Sequence, residues 1–530
     1  MALPGYSTDL VDIDLADAVG TWVEPGTWTA GGVPNFDGEN YIQGSGAASG
    51  AISKTFNATS IGGMVMNYGS GVSFGTNDAV FAWLYWASPK TLDSEANGGM
   101  RLIMGNLSTA FSAWQVGGKD TYTYGGWINV VVDPNAASGD YTVGSPTSTR
   151  QWFGAAYNNL DAISKGNPCL VDAFRKGRTL QITGGDGSGY ATFSGAAAVN
   201  DTAANRWGLC QAIAGGYLQK GLFLIGTATA SADFRDSNTS IVVQDTKKVG
   251  SLFNQFEFRN ANSRVDWNAI SFLALGTTSR GTFSAAANVD INWDGCTFTD
   301  VGNFYLCPSA TVNDSTFRRT GMITQSGAVF DGCTFDSCRD PVTISASNIG
   351  LISNSSFISD GSNHAIEIAT LGASAAYTLT NLGYASYVAG GSGVSGSSGN
   401  ESIYNNSGQF VKLTIDGGSV PSYRDGTGAS TQIVTNQRVL TLTNVISGSE
   451  IRIYDQSGPP PTELAGVENF QPAGATGSFD YTYTYAASTY VDIIIHKEDY
   501  LWYKVNDYLL LDSNASLPIA QQRDRQYSNP

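Results

Sequence analysis

Five segments of this chain repeat one another: Trp267-Asn-Ala-Ile-Ser-Phe272, Trp293-Asp-Gly-Cys-Thr-Phe298, Val312-Asn-Asp-Ser-Thr-Phe317, Phe330-Asp-Gly-Cys-Thr-Phe335 and Ile352-Ser-Asn-Ser-Ser-Phe357. The last four end on phenylalanines spaced by 19, 18 and 22 residues. A unit of that size cannot bury its inner face alone, so copies must stack and share one continuous core. The spacing fits one coil of a parallel β-helix, with Phe272, Phe298, Phe317, Phe335 and Phe357 as an internal ladder. Each buried ring contributes roughly 1.5–3 kcal/mol, enough over several coils to offset the entropy of the connecting loops. Cys296 and Cys333 hold the same repeat position two coils apart. At ~4.8 Å per rung their separation is about 9.6 Å, beyond the ~7 Å Cα reach of a disulfide. All six cysteines are therefore expected as reduced, buried thiols.

The flanking sequence is also β in character. Only 14% of the 530 residues are charged, and few stretches offer the Glu/Lys/Arg face of a surface helix. The expectation is an all-β chain of several domains. Residues 1–20 read as an N-terminal arm. Residues 21–176 read as a jelly-roll sandwich, from runs such as Ala51–Phe56, Ala79–Trp86, Met100–Met104 and Gly126–Val132 between turn residues. Asn167–Gly177 is the best candidate for a short helix, and β structure restarts at Arg178–Thr183. Residues 177–387 read as the parallel β-helix, 388–402 as a Gly/Ser linker and 403–434 as a connecting β segment. Residues 435–530 read as an Ig-like or jelly-roll β-sandwich, from the alternation in Glu450–Tyr454, Phe479–Tyr485 and Val491–Ile495.

Three resemblances accompany this reading. The succession of the strands at Ala79–Trp86, Met100–Met104 and Gly126–Val132 resembles the concanavalin-like (laminin-G-like) jelly rolls, over about 150 residues. Such domains often bind sugars, frequently with calcium. The repeat resembles the right-handed β-helices shared by pectate lyases and phage tailspikes. The end of the chain, with Glu450–Asp455, Asp492–Tyr500 and Gln521–Pro530, is similar to a C-terminal module on virion proteins of tailed phages. Together these imply a phage virion structural protein: a head decoration (capsid-stabilising) or fibre-like exterior protein, homotrimeric by analogy with other virion β-helices. Its partners would be itself and other virion proteins such as the major capsid or tail proteins, with host glycans as a further class. No cofactor is expected, calcium being the one metal the jelly-roll resemblance allows.

Charge and residue usage exclude other classes. A formal net charge of −17 without a basic stripe argues against nucleic acid. No apolar run reaches the ~18 residues needed to span a bilayer, and the start lacks the pattern of a secretory signal. Synthesis in a host cytoplasm and residence on a virion exterior are the expectation, with no membrane partner. His364 and His496 lie in no metal or triad spacing. An enzyme is not expected. The alternative is a tail spike or fibre that binds or depolymerises host surface polysaccharide, with Asp331, Asp340 and Glu367 as the acids and Arg318, Arg319 and Arg339 nearby for lyase chemistry. A third reading is a glycan-binding adhesion protein. Against catalysis, Asp294, Asn313 and Asp331 recur at one repeat position, which is what a coil corner requires. Trp83, Trp86, Trp114 and Trp127 sit in alternating strands and read as core.

Overall fold

The computed structural model describes residues 3–17, 22–23, 35–50, 62–75, 78–87, 92–107, 110–121, 125–134, 141–157, 169–185, 189–202, 205–244, 255–275, 280–286, 288–361, 363–388, 399–435, 437–456, 460–485 and 489–524. The chain is all-β, with one α-helix, Phe193–Asn200, among the described residues. It divides into two compact units, residues 1–351 with 358–367, and residues 352–357 with 368–530.

The first unit opens with two antiparallel sheets. One runs in the order Gly126–Val132, Ala79–Trp86, Cys169–Gly177, Ala47–Gly50, Asn35–Asp37, and the other holds Ala110–Gly117, Met100–Leu107, Arg150–Tyr157 and Gly62–Val72 as neighbours. Alternate residues of both, including Leu84, Trp86, Met104, Trp114, Val130, Phe153 and Phe174, share one buried cluster. Trp83 is buried as well, on the opposite face of its strand, whereas Trp127 is half-buried beside it. The segment Ala51–Phe56 lies outside the described residues.

Residues 169–177 correct the expectation of a helix. They form a central strand, buried along nearly its whole length. A strand covered on both faces shows no period of two. A register shift between Asp172 and Arg175, with Ala173 at φ 48°, disturbs the alternation further. Asp172 and Arg175 are wholly buried, although by type they look like a wet helical face.

From Thr179 onward the chain returns again and again to three parallel ladders. One takes Thr179–Thr183, Leu222–Ile225, Gln255–Phe258, Thr282–Ala285, Phe304–Tyr305 and Ile323–Thr324 in turn. The second takes Asp233–Ser237, Arg264–Asn268, Asp290–Asp294, Ala310–Asn313 and Val329–Asp331. The third takes Ser240–Gln244, Ser271–Leu275, Thr297–Thr299, Thr316–Arg318 and Thr334–Asp336. Strict register places like residues on like. Phe272, Phe298, Phe317 and Phe335 stack at 5.2, 5.0 and 5.2 Å between ring centres. Trp267 lies 5.4 Å from Trp293, and Phe223, Phe256, Phe283 and Phe304 form a third column at 5.3, 4.9 and 4.8 Å. At the first rungs the ring of Phe193, on the short helix, meets Phe234 at 4.9 Å and Phe223 at 5.9 Å, and so covers the end of the aromatic core. Thr192 caps that helix by accepting the Gly195 N–H at 2.9 Å. The arm also contributes, since Gly5–Thr8 pairs antiparallel with Thr179–Thr183.

The repeat consensus follows from its corners. Two residues beyond the in-register column Asp236, Trp267, Trp293, Val312 and Phe330 of the second ladder, Asn238, Ala269, Gly295, Asp314 and Gly332 all take left-handed conformations, with φ of 52, 53, 59, 46 and 67°. Gly, Asn and Asp tolerate that region best. Backbone bonds continue around the bend, from Ala269 N–H to the Asp294 carbonyl at 2.8 Å and from Asp314 N–H to the Asp331 carbonyl at 2.9 Å.

In the second unit, Phe357 is fully buried and stacks on Tyr384 at 5.8 Å. Parallel pairing there runs from Ala375–Ala385 to Phe410–Gly418 and Ser430–Thr435. It therefore extends past residue 387, where the sequence places the end of the parallel stack. The glycine and serine composition of 388–400 suggests a boundary, yet pairing resumes beyond it; residues 389–398 lie outside the described residues. The last residues form two further sheets. Gln437–Ile446 pairs with Thr476–Thr484 and Ala515–Pro518, and the other sheet runs Thr462–Phe470, Ser449–Asp455, Tyr490–His496, Tyr503–Leu509. Leu440, Leu442, Ile451, Ile453, Val491, Ile493 and Ile495 are the core between them.

Candidate functional site

One outer corner of the first unit gathers a cluster of opposite charges. Two residues beyond Phe298, Phe317 and Phe335, a second left-handed column holds Asp300, Arg319 and Ser337. Stacking puts Arg319 directly over Asp300, with Nε 3.0 Å from Oδ1 and Nη2 2.7 Å from Oδ2, a bidentate pair. Arg280 reaches the same carboxylate at 3.9 Å, and the Arg339 guanidinium donates to the Val301 carbonyl. Hydrogen bonding from Arg319 holds the Asp300 carboxyl below the ordinary carboxylate range, with Arg339 and Arg280 adding to the effect. Asp336 accepts the Ser337 hydroxyl at 2.6 Å and lies 3.3 Å from Arg318.

The three acids singled out from the sequence come from separate places. Asp331 ends a strand of the second ladder, in register with Asn313 and Asp294. Its carbonyl turns the corner at Asp314. Asp340 precedes the strand Val342–Ala346, and its Oδ2 accepts the Met322 N–H at 2.7 Å. Glu367 is half-buried within His364–Ile368, a strand of the first ladder. They thus share no ladder. Asp294 and Asp331, on one ladder, are two rungs apart with an amide between them, about 9.6 Å. General acid catalysis wants a carboxyl whose proton is held toward neutral pH, and Asp300 is held the other way. Asp300 itself was invisible in the sequence, because its partners Arg319 and Arg280 are brought to it only by stacking.

No family model, curated protein or solved structure matches the chain. Function must be read from the geometry alone. Among the described residues no group of three or more His, Cys, Asp or Glu is placed to hold a metal. No helix there is long and apolar enough to cross a membrane. All six cysteines are buried and unbridged, and burial pushes the Cys296 and Cys333 thiols up to about 12, far from the thiolate form a nucleophile needs.

The second unit holds one feature that the sequence did not announce. On the outer face of its four-stranded sheet, Glu450, Arg452, Tyr454, Ile494, His496 and Trp502 line a groove of about 110 Å³. Trp502 is 59% exposed, with its indole stacked on the His496 ring at 4.5 Å. Arg452 is fixed between Glu450 and Glu463 at 2.9 and 2.8 Å. An exposed indole beside planar hydrogen-bonding groups suits contact with a flat or amphipathic partner. The alternation that places Ile451 and Ile453 inward puts Arg452 and Tyr454 outward, but Trp502 lies outside any such pattern.

Proposed function

We propose that this chain is a structural protein of a tailed-phage particle, carried on the virion exterior as a homotrimeric head decoration or fibre-like component. In this reading the antiparallel sheets at the start form a concanavalin-like jelly roll, the three ladders a right-handed parallel β-helix, and the last sheets an Ig-like or jelly-roll sandwich. The observation that carries the proposal is the register of the aromatic columns. Rings stacked rung upon rung give a stiff, densely packed element with no moving part, and the charged flank is committed to corners and ion pairs. That is the construction expected of a rigid exterior part. Purified particles test it. Quantitative mass spectrometry and electron microscopy should find dozens to hundreds of copies on the shell; absence from particles overturns the proposal.

A second reading is favoured by the Trp502 groove. A tail spike or fibre, or an adhesion protein, would hold a host glycan against the exposed indole, with Arg452 and Glu450 as hydrogen-bonding groups. Under this reading Trp502→Ala abolishes retention of the protein on host surface polysaccharide and leaves the fold intact. Retention unchanged by that substitution sends the search elsewhere.

A further inference from the structure

Within the first unit, a lysine is buried without a carboxylate. Lys220 is 2% exposed, at the point where the chain leaves Leu209–Gly221 for the first parallel ladder. Buried ammonium groups are rare unless paired with an acid. Here the partners of Nζ are one residue of the antiparallel sheet: it donates to the Asn129 backbone carbonyl, and lies 3.2 Å from Asn129 Oδ1. Asn129 is 4% exposed, and its Nδ2 is buried with no hydrogen-bond partner. The carboxamide is pressed against Gly208, where a Cβ would lie 2.4 Å from Asn129 Cγ. Gly208 has φ 80°, so both conformation and space at that position require glycine.

We propose that Lys220 and Asn129 join in an intramolecular isopeptide bond. The uncharged amine attacks Asn129 Cγ; the Nζ–Cγ bond forms, the Cγ–Nδ2 bond breaks, and one proton passes from Nζ to Nδ2, which leaves as ammonia. No oxidant, reductant or co-reactant is needed. Three features favour the step. The carboxamide is immobilised with its carbonyl beside the amine, so reaction is effectively unimolecular. The leaving nitrogen has no hydrogen bond to give up. Burial pushes the Lys220 amine down to about 7, so much of it is nucleophilic near neutral pH. The product replaces a buried amine and an unsatisfied amide by one neutral amide. It would tie the antiparallel module to the start of the parallel stack.

The test is the intact mass of the purified full chain under denaturing conditions, with tryptic mapping. The expected result is a mass lower than the sequence mass by one ammonia and a branched peptide joining the segments of Lys220 and Asn129. Lys220→Arg and Asn129→Ala should each restore the unbranched map. Because the wild-type map decides the matter, failure of a variant to fold leaves the test intact. A full sequence mass with both linear peptides and no branched one overturns the proposal.

Discussion

At the scale of single residues, the left-handed corner column accounts for what the repeat tolerates. Ala269 holds a position taken elsewhere by Gly, Asn or Asp, at φ 53°. Ala269→Gly should raise stability by about 1 kcal/mol, read from the urea midpoint. The reverse change at Gly332 meets two penalties, φ 67° and Asp314 Oδ1 at 2.2 Å from the added Cβ. Gly332→Ala should therefore cost about 1–3 kcal/mol in the same assay. Asp172 gives a pH signature. Its Oδ2 accepts the Ile42 and Gln43 N–H groups at 2.7 and 3.1 Å, yet burial raises the carboxyl from 3.8 to about 7. Between those values the folded chain keeps a proton that the unfolded chain has released. This group's contribution is therefore full at low pH and is lost as pH rises toward 7, by at most roughly 1.4 kcal/mol per pH unit. Asp172→Asn, which keeps an acceptor for both N–H groups, should flatten stability across that window in denaturation titrations.

At the scale of elements, the aromatic columns make the parallel stack a chain of nearest-neighbour contacts. Phe298 lies between Phe272 and Phe317 and is fully buried. Truncation to alanine should cost about 3–5 kcal/mol, because rungs above and below cannot collapse into the gap without losing register. Hydrogen exchange of the neighbouring ladder amides should accelerate, with the C-terminal sheets unaffected. Much of this was legible in the sequence. The ring spacing and the Gly/Asn/Asp corners are consequences of local geometry repeated along the chain, and they show even in a degenerate repeat. What did not show was of another kind. The strand Cys169–Gly177 is buried on both faces and broken by a bulge, so it lost its alternation. The helix Phe193–Asn200 exists to cover the end of the core, a need that arises only after the stack forms. Asp300 with Arg319 and Arg280, and the Trp502 groove, depend on residues far apart in sequence, which no local pattern reports.

At the scale of the whole molecule, two separate reservoirs of apolar burial carry stability. The antiparallel module and the C-terminal sheets each have their own apolar cluster, and among the described residues no group of three or more His, Cys, Asp or Glu is placed to hold a metal. If that burial is what holds the fold, chelation should leave the thermal unfolding profile where it is. A fall in Tm with EDTA, restored by calcium, would revive the calcium dependence that the jelly-roll resemblance allows. The strict register of the first unit also limits how such a chain can change over time. Gain or loss of a single residue inside a ladder strand would turn inward rings out to solvent, whereas a change in the loops between strands, as in the 26-, 19- and 18-residue spacings from Phe272 to Phe335, or of a complete turn preserves every column. Duplication and deletion of whole coils is thus one path of least resistance, as beads are added to a string, and change within a coil should be confined to the loops that join its strands.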